Sequence, residues 1–290
     1  MGKIIVFIPN EHFDQALVAT EALAKHCASR GDSAYVARFH GADKLGIPVY
    51  DGSVHGNPDL IVALGGDGTI LRAVREMKEN LAPLLGIKFG KLGFLTGTTF
   101  ENAPEAVDAA LAGTASVERR NMVRIRAYDG SRVIFSQDAL NEVVIGRGSD
   151  TPVLTTMLKI NGHRIYTSSG DGLIVATATG STAYALSAGG PLMSPDYNGL
   201  VVVPLASHTL VQRAVVTAPT DRISVEFPDS ARARSEIILD GVTVPLDVAP
   251  TTLTAEVSKN YVEIIKLDSR LFYETVAHEF FSGQQGGSPC

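Results

Sequence analysis

The sequence predicts two domains, an α/β domain in the N-terminal half and a mostly-β domain in the C-terminal half. The chain has 290 residues, of which 45% are hydrophobic and 19% charged, which is enough apolar material for two cores. Short apolar runs alternate with helical patterns up to about residue 117, and short β-branched runs follow. The first pattern is typical of parallel βαβ units, and the second favours antiparallel sheets.

The elements of the first half follow from apolar spacing. Strands are predicted at Ile4–Ile8 and Leu60–Leu64, which are short apolar runs. Helices are predicted at Leu17–Ala28, Thr69–Met77 and Pro104–Leu111. Gly113 follows the third helix and is a typical C-cap residue.

The second half is predicted to consist mainly of strands separated by turn residues. Asn161-Gly162 lies between two apolar runs and indicates a hairpin with a type I′ turn. Ser181–Ala188 is the exception, predicted as a short helix opened by a Thr or Ser cap. The predicted strands are Val133–Phe135, Val143–Ile145, Val201–Val203, Val215–Thr217, Ile223–Phe227, Ile237–Leu239 and Val262–Ile265.

Domain boundaries follow from these patterns. We place the α/β domain at residues 1–117 and the β-rich domain at 118–268. A C-terminal helix is expected at 269–282, and a disordered tail at 283–290.

Charge and cysteine content exclude several classes of protein. The chain has 31 acidic and 25 basic side chains, a net charge of −6, and no Lys/Arg cluster that would neutralise a nucleic-acid backbone. Two cysteines, Cys27 and Cys290, cannot form a disulfide framework or a four-ligand zinc site, and a cytoplasmic location is expected. Residues 172–195 carry no charge, but glycines, prolines and hydroxyl residues interrupt them too often for a membrane span. No nucleic-acid or membrane partner is expected.

The strongest chemical signal is a glycine loop between a strand and a helix. Gly65-Gly66-Asp67-Gly68 follows the strand Leu60–Leu64, and the helix begins at Thr69. Glycines there let backbone amides approach an anion, and the helix dipole favours negative charge, so the loop is predicted to bind phosphate. Asp67 would repel phosphate unless it acts on a proton or a metal ion, which indicates a general base or a metal-linked carboxylate. The alternative is that Asp67 only caps the helix.

Two other motifs are misleading. Residues 86–92 resemble a P-loop, but the glycines are too close together and Leu92 stands where Mg²⁺ requires Ser or Thr. Residues 185–189 resemble the nucleophile elbow of a hydrolase, with Asp240 and His278 following in order, but Ser187 lies inside a predicted helical turn. The seven histidines show no i, i+4 pair of the kind that binds metal on a helix.

Three polar patches adjoin apolar strands. They are Asn141-Glu142, Asp171-Gly172 and Thr179–Tyr184. Hydroxyl, carboxamide and carboxylate groups bind ribose hydroxyls and adenine edges, and Tyr184 could stack on a base. Together with the glycine loop, the patches predict a nucleotide site.

These motifs resemble those of the NAD kinases. The resemblance covers about residues 55–280, and the string at 179–191 is its most specific part, because lipid kinases share the glycine loop. The motifs are Gly65–Thr69, Leu92–Leu95, Asn141-Glu142, Asp171–Val175, Thr179–Pro191 and Pro204–Leu210.

The resemblance implies that the chain transfers the γ-phosphate of ATP to the 2′-hydroxyl of the adenosine ribose of NAD, with Asp67 as general base. Mg²⁺ or another divalent cation would arrive with ATP, without metal ligands from the chain. The resemblance also implies an α/β domain followed by a β-rich domain, a last helix that returns to the first domain, and a homodimer or homotetramer. The implied binding residues are Gly65, Gly66, Asp67, Gly68, Thr69, Arg72, Phe94, Asn141, Glu142, Asp171, Thr182, Ala183, Tyr184, Ala185, Leu186, Ser187 and Ala206.

Individual roles are also implied by the resemblance. Arg72 would lie near phosphate, and Asn141 and Glu142 would hold ribose hydroxyls. Asp171 would help to fix the nicotinamide end, and residues 182–187 would contact the adenine and the carboxamide. Phe94 and Ala206 would form apolar walls.

A few residues depart from the family pattern, and two other functions are compatible with parts of the sequence. Lys88-Phe89, Ser169 and Val242 depart from the family pattern, which bears on affinity, on NAD against NADH preference or on regulation. A catalytically silent NAD(H) sensor and a lipid kinase are the alternative functions. Polyphosphate as the donor, inhibition by NADP(H) and the oligomer size are left open.

Overall fold

The structure is a computed structural model that describes residues 2–90, 93–148, 153–208, 212–228, 235–267 and 272–281. The chain forms two compact units. The first unit contains Met1–Arg119 and Val262–Cys290, and the second contains Arg120–Tyr261. The tail predicted at 283–290 lies outside the described residues.

The first unit is an α/β unit built on parallel strands. Strand β1 pairs with β2 and β3, β3 pairs with β4, and β4 pairs with β5, all in parallel. The helices and strands are β1 (Ile4–Pro9), α1 (Asp14–Ser29), β2 (Ser33–Val36), α2 (Gly52–His55), β3 (Leu60–Leu64), α3 (Asp67–Glu76), β4 (Leu84–Lys88), β5 (Thr98–Thr99) and α4 (Ala103–Ala112).

Helices cover both faces of this sheet. Every residue of β3 is buried, which explains its uninterrupted apolar run. Apolar residues of α1 and α4 share one core with alternate residues of β1 and β3, among them Phe7 and Val62. Helix α3 packs against β1, β3 and β4 and buries Ile70 and Val74. This packing fixes the loop between β3 and α3 at the carboxyl end of the sheet.

The second unit consists mostly of antiparallel strands in two sheets. Its strands are β6 (Ser116–Asp129), β7 (Arg132–Ala139), β8 (Glu142–Arg147), β9 (Leu154–Ile160), β10 (His163–Gly170), β11 (Gly172–Ala176), β12 (Val201–Leu205), β13 (Val215–Val216), β14 (Ile223–Glu226), β15 (Ser235–Leu239), β16 (Val242–Thr243) and β17 (Thr252–Lys266). One sheet has the order β10-β9-β14-β17, with β6 on β17 and β7 on β6, and the other has the order β13-β12-β11-β8-β15-β16. Strands β6 and β17 contribute residues to both units.

Residues from both sheets form one apolar core in the second unit. Val143, Leu173 and Ile237 contribute from one sheet, and Leu158 and Val225 from the other. A second core covers the opposite face of β11 and β12. Alternate residues of the central strands therefore enter two different cores, which explains why β11 is buried along its whole length.

The predicted fold class is confirmed, and several local predictions are confirmed with it. Asn161 and Gly162 both have positive φ, 51° and 81°, as a type I′ turn requires. Gly113 ends α4 in the left-handed conformation. No helix among the described residues is long and apolar enough to cross a membrane.

The helix predicted at 181–188 is wrong in form. The structure has a 3-10 turn at Gly180–Thr182 and one α-helical turn, α5 (Tyr184–Ser187). Ala183 separates them with φ −99° and ψ −132°, and no side-chain cap opens either turn. Ser181 Oγ donates to the carbonyl oxygen of Ala178 and accepts from the amide of Met193, so this buried hydroxyl ties the 3-10 turn to residue 193.

The C-terminal helix belongs to the first unit. Helix α6 (Phe272–Val276) is followed by a wider π-type turn at Ala277–Phe281. Residues 269–271 and 282, which were also predicted to be helical, lie outside the described residues.

Candidate functional site

The glycine loop joins β3 to α3 at the carboxyl end of the parallel sheet. Gly66 is the N-cap residue, so the helix begins at Asp67, two residues earlier than predicted. In α/β folds, ligands bind outside the carboxyl ends of the strands, where helix N-termini present free backbone amides. The loop therefore lies where an anion is expected.

The space around each glycine of the loop shows where packing within the protein leaves no room for a side chain. A Cβ at Gly65 would lie 2.2 Å from Oγ1 of Thr69, so packing alone demands glycine there. At Gly66 and Gly68, a Cβ would meet no atom of the described residues within 4 Å. The backbone at these two positions is thus open to close approach by a phosphate.

Asp67 does not serve as the cap of α3, because Gly66 occupies that position. Its Oδ2 accepts a hydrogen bond from the backbone amide of Phe94 at 3.1 Å, and its Oδ1 from that of Leu95 at 3.3 Å. A Cβ at Gly93 would lie 2.5 Å from Oδ1, so this loop fits closely against the carboxylate. Each carboxylate oxygen can accept more than one hydrogen bond, so Asp67 can also accept one from a substrate hydroxyl.

Phe94 is in contact with aromatic residues of the C-terminal segment. Its ring centroid lies 5.7 Å from that of Phe280, with the planes 22° apart, and 5.8 Å from that of Phe272. The side chain is therefore held by ring contacts while its backbone amide binds Asp67.

Arg72 connects α3 to the end of β1. Its guanidinium donates to the carbonyl oxygen of Pro9 and lies 3.4 Å from a carboxylate oxygen of Glu11 and 3.6 Å from one of Glu76. The structure thus shows Arg72 as a link within the first unit, one helical turn after the glycine loop. Its implied role beside phosphate remains a prediction.

The second unit holds the Asn141-Glu142 backbone by a carboxylate. Asp240 accepts hydrogen bonds from the amides of Leu140 at 2.8 Å, Asn141 at 2.7 Å and Glu142 at 3.1 Å. Asp240 has a φ of 45°, which Asp tolerates better than most residues. Sequence reasoning did not assign Asp240 to this site, although Asp-Gly after a strand is a turn signal.

The side chains of Asn141 and Glu142 present unpaired acceptors. Asn141 Oδ1 and Glu142 Oε2 are buried and have no hydrogen-bond partner among the described residues. Burial, together with the nearby charge of Asp240, raises the pKa of Glu142 to about 7. Buried polar groups are usually hydrogen-bonded, so these two oxygens are candidates for contact with hydrogen-bond donors of a ligand.

Thr177 joins this pair to the turn that follows β11. Its Oγ1 donates to the carbonyl oxygen of Leu140 at 2.6 Å and accepts from the amide of Gly180 at 3.1 Å. A Cβ at Gly180 would lie 2.2 Å from the carbonyl oxygen of Asn141, so the turn packs directly on that residue. Thr177 was also missed, because a threonine at the end of a strand carries no distinctive signal.

The predicted residues 182–187 follow directly from this turn. Thr182 Oγ1 donates to the carbonyl oxygen of Thr179 at 3.1 Å. Tyr184 is 49% exposed, whereas Ala185 is fully buried. Ala183 and Leu186 are half-buried and Ser187 is exposed.

Asp171 and Ala206 lie at the other end of β11. In the pairing of β8 with β11, Glu142 is opposite Ala176, while Gly146 is opposite Gly172. Since each strand residue adds about 3.3 Å, Asp171 is separated from Glu142 by roughly 15 Å or more. Asp171 forms an ion pair with Arg147 at 2.7 Å. The structure thus brings Asn141, Glu142 and residues 180–182 together, and leaves Asp171 apart from them.

Ala206 and Asp171 share their end of the strand. The amide of Asp171 donates to the carbonyl oxygen of Leu205 at 3.0 Å. A Cβ at Gly170 would lie 2.7 Å from the carbonyl oxygen of Ala206, and Ala206 itself has a φ of 41°. No group of three or more His, Cys, Asp or Glu side chains suited to a metal ion occurs within the described ranges.

Family models match both halves of the chain. Residues 31–115 match the ATP-NAD kinase N-terminal domain, and residues 140–267 match the ATP-NAD kinase C-terminal domain. A curated NAD kinase from Ruminiclostridium cellulolyticum is 30% identical over 286 residues, which cover 98% of this chain and 99% of that protein. An NAD kinase from Lachnospira eligens is 40% identical over 177 residues, or 61% of this chain and 60% of the relative. The latter match thus spans about three fifths of that relative's length.

Solved structures share the fold. A crystal structure of yeast NADH kinase complexed with NADH aligns with a TM-score of 0.86 at 20% identity, covering 99% of this chain and 89% of that one. An NAD kinase from Archaeoglobus fulgidus in complex with ATP aligns with a TM-score of 0.71 at 24% identity, covering 96% and 99%.

Proposed function

Since the chain belongs to the NAD kinase family, we propose that it transfers the γ-phosphate of ATP to the 2′-hydroxyl of the adenosine ribose of NAD, forming NADP. The observation that carries this proposal is the placement of Asp67. Its carboxylate does not cap the helix, it lies between Gly66 and Gly68, where the backbone is open to close approach, and it is held by two backbone amides.

The chemical step needs a base and a cradle for phosphate. Asp67 takes the proton of the 2′-hydroxyl while the oxygen forms a bond to the γ-phosphorus, and the bond from that phosphorus to the β-phosphate oxygen breaks. ADP leaves with the electron pair of the broken bond. The amides of the glycine loop and the N-terminus of α3 stabilise the negative charge on the transferred group.

ATP enters this proposal as its Mg²⁺ complex. The cation neutralises phosphate charge and orients the γ-phosphate, as it does in other phosphoryl transfers. Arg72 supplies further positive charge one helical turn from the loop, where Glu11 and Glu76 now lie beside it. The crystal structure of the Archaeoglobus relative with ATP supports the choice of donor for this family.

Most of the residues proposed to bind the dinucleotide belong to the second unit. Asn141 and Glu142 accept hydrogen bonds from ribose hydroxyls through their unpaired oxygens. Residues 182–187 contact the adenine and the carboxamide, with the exposed ring of Tyr184 available for stacking. Asp171, Phe94 and Ala206 complete the proposed set. We propose a cytoplasmic homodimer or homotetramer as the working form.

A matrix of donors and acceptors tests the proposal. Purified protein is incubated with MgATP or polyphosphate as donor, and with NAD, NADH, diacylglycerol or a sphingoid base as acceptor. Formation of NADP or NADPH supports the proposal. Binding of NAD without product indicates a sensor, and phosphorylation of a lipid alone indicates a lipid kinase.

A further inference from the structure

Lys266, the last residue of β17, lies outside every motif that the sequence analysis singled out. Its ammonium group donates to the carbonyl oxygens of Phe94 at 3.0 Å and Thr96 at 2.9 Å. Both carbonyls belong to residues 93–97, which we call the clamp segment. The same segment carries the two amides that bind Asp67. The clamp segment thus accepts hydrogen bonds from Lys266 through its carbonyl groups and donates hydrogen bonds to Asp67 through its amide groups.

One peptide group connects the two charges. Its carbonyl, from Phe94, accepts from Lys266 at 3.0 Å, and its N–H, from Leu95, donates to Oδ1 of Asp67 at 3.3 Å. A cation at the carbonyl polarises a peptide group and makes its N–H a stronger donor. The ammonium therefore supports the hydrogen bond that orients the carboxylate.

The rest of the clamp segment is tied to the same strand end. The amide of Leu267 donates to the carbonyl oxygen of Gly97 at 3.2 Å, and the amide of Gly97 donates to that of Gly86 at 2.8 Å. A Cβ at Gly97 would lie 2.1 Å from the carbonyl oxygen of Ile265, so the segment passes close to β17. Lys266 is half-buried here, where its ammonium group holds the carbonyls of Phe94 and Thr96.

We propose that Lys266 is a positioning residue for phosphoryl transfer, which acts by fixing the clamp segment and through it the carboxylate of Asp67. This inference rests on the proposed function. A displacement of about 1 Å at a reacting group can cost on the order of a hundredfold in rate. The hydrogen bonds described for Lys266 go to the clamp segment, which holds Asp67, so its loss is expected to lower kcat and to leave KM for NAD nearly unchanged.

The first test compares Lys266→Met with Lys259→Met. Lys259 is an exposed lysine on the same strand, so the control removes the same charge and side chain away from the clamp segment. We expect kcat to fall about tenfold or more in Lys266→Met, with KM for NAD within about twofold of the parent. Lys259→Met keeps the parent values. Lys266→Arg restores most of kcat, because a guanidinium also donates to two carbonyls.

A double-mutant cycle tests whether Lys266 acts through Asp67. In an Asp67→Asn background, Lys266→Met should cause little further loss of residual activity, since the group it positions is gone. An equal loss in both backgrounds, or an unchanged kcat in Lys266→Met, overturns the inference. If the methionine variant does not fold, Lys266→Gln, which keeps one uncharged donor, is measured in its place and must show the same loss of kcat.

The two proposals fail in different ways. A parent protein that makes no NADP overturns the proposed function, and the role of Lys266 falls with it. If the parent is active and the Lys266→Met variant has the same kcat, only the role of Lys266 is overturned.

Discussion

The backbone nitrogen of Asn141 lies 2.7 Å from Oδ1 of Asp240, although 99 residues separate the two in the chain. Because Asp240 binds three consecutive amides, a single side chain sets the path of the backbone that presents Asn141 and Glu142. Hydrogen bonds to an ionised acceptor are about twice as strong as neutral ones.

Replacing Asp240 should therefore weaken dinucleotide binding. Asp240→Asn keeps the size and tolerates the positive φ, but it removes the charge and one acceptor oxygen. We expect KM for NAD to rise about tenfold and the free energy of unfolding to fall by about 1–2 kcal/mol. Steady-state kinetics and denaturant unfolding measure both. Asp221→Asn is the control, since Asp221 also accepts a backbone amide, from Ala218 at 2.8 Å, but lies outside the proposed binding residues. Equal KM values for the two variants would contradict the role of Asp240.

Glu142 should make stability depend on pH. Burial raises its pKa from 4.5 to about 7. Between these values the folded state holds a proton that the unfolded state has lost, so the free energy of unfolding decreases as pH rises. The loss is complete above about pH 7 and absent below pH 4.5, and it amounts to roughly 3 kcal/mol at most.

The variant Glu142→Gln tests this directly. A neutral amide removes the buried charge, so its Tm should exceed that of the parent at pH 8, and the difference should shrink towards pH 5. Glu236→Gln, which changes an exposed glutamate on β15, should show no such trend. A Tm difference that stays constant across this range would mean that Glu142 does not titrate as described.

Gly68→Ala should separate stability from activity. A Cβ there meets no described atom within 4 Å, and alanine favours a helix over glycine, so the free energy of unfolding should rise by about 0.5 kcal/mol. A phosphate that approaches this backbone would meet the added methyl group. We expect KM for ATP to rise about tenfold or more, as judged by kinetics at saturating NAD. Unchanged kinetics would show that phosphate does not bind against Gly68.

Much of the fold could be predicted because it depends on local patterns. One strand–loop–helix pattern covers Leu60–Leu64, the glycine loop and the helix after it. The two residues Asn161 and Gly162 are enough to predict the type of turn between their strands. Strand β4 was not predicted. Its Gly86 interrupts the apolar run, and the strand packs closely there, since a Cβ would lie 2.5 Å from Cδ1 of Ile70 and 3.1 Å from Cα of Thr96.

The parts of the site that escaped prediction depend on contacts between distant residues. Asp240 and Lys266 bind backbone groups 98 to 172 residues away in the chain, and the Asp-Gly turn signal at Asp240 does not reveal which amides its side chain binds. Strand β6 was hard to predict because it contains charged residues. Its Arg124 pairs with Asp138, and its Arg126 pairs with Glu256, both on neighbouring strands. Sequence reasoning singled out Asp67 and the Asn141-Glu142 pair as candidate site residues, but only the structure shows which contacts hold them in place.

We propose Asp67 as the general base of NAD phosphorylation. The most direct measurement is the rate of NADP formation from NAD and MgATP by the parent and by Asp67→Asn, together with NAD binding by both. We predict an active parent and a variant whose kcat falls about a hundredfold or more while it still binds NAD, because the amide keeps the size of the side chain but cannot take the proton. A variant that retains the parent's kcat would contradict the claim.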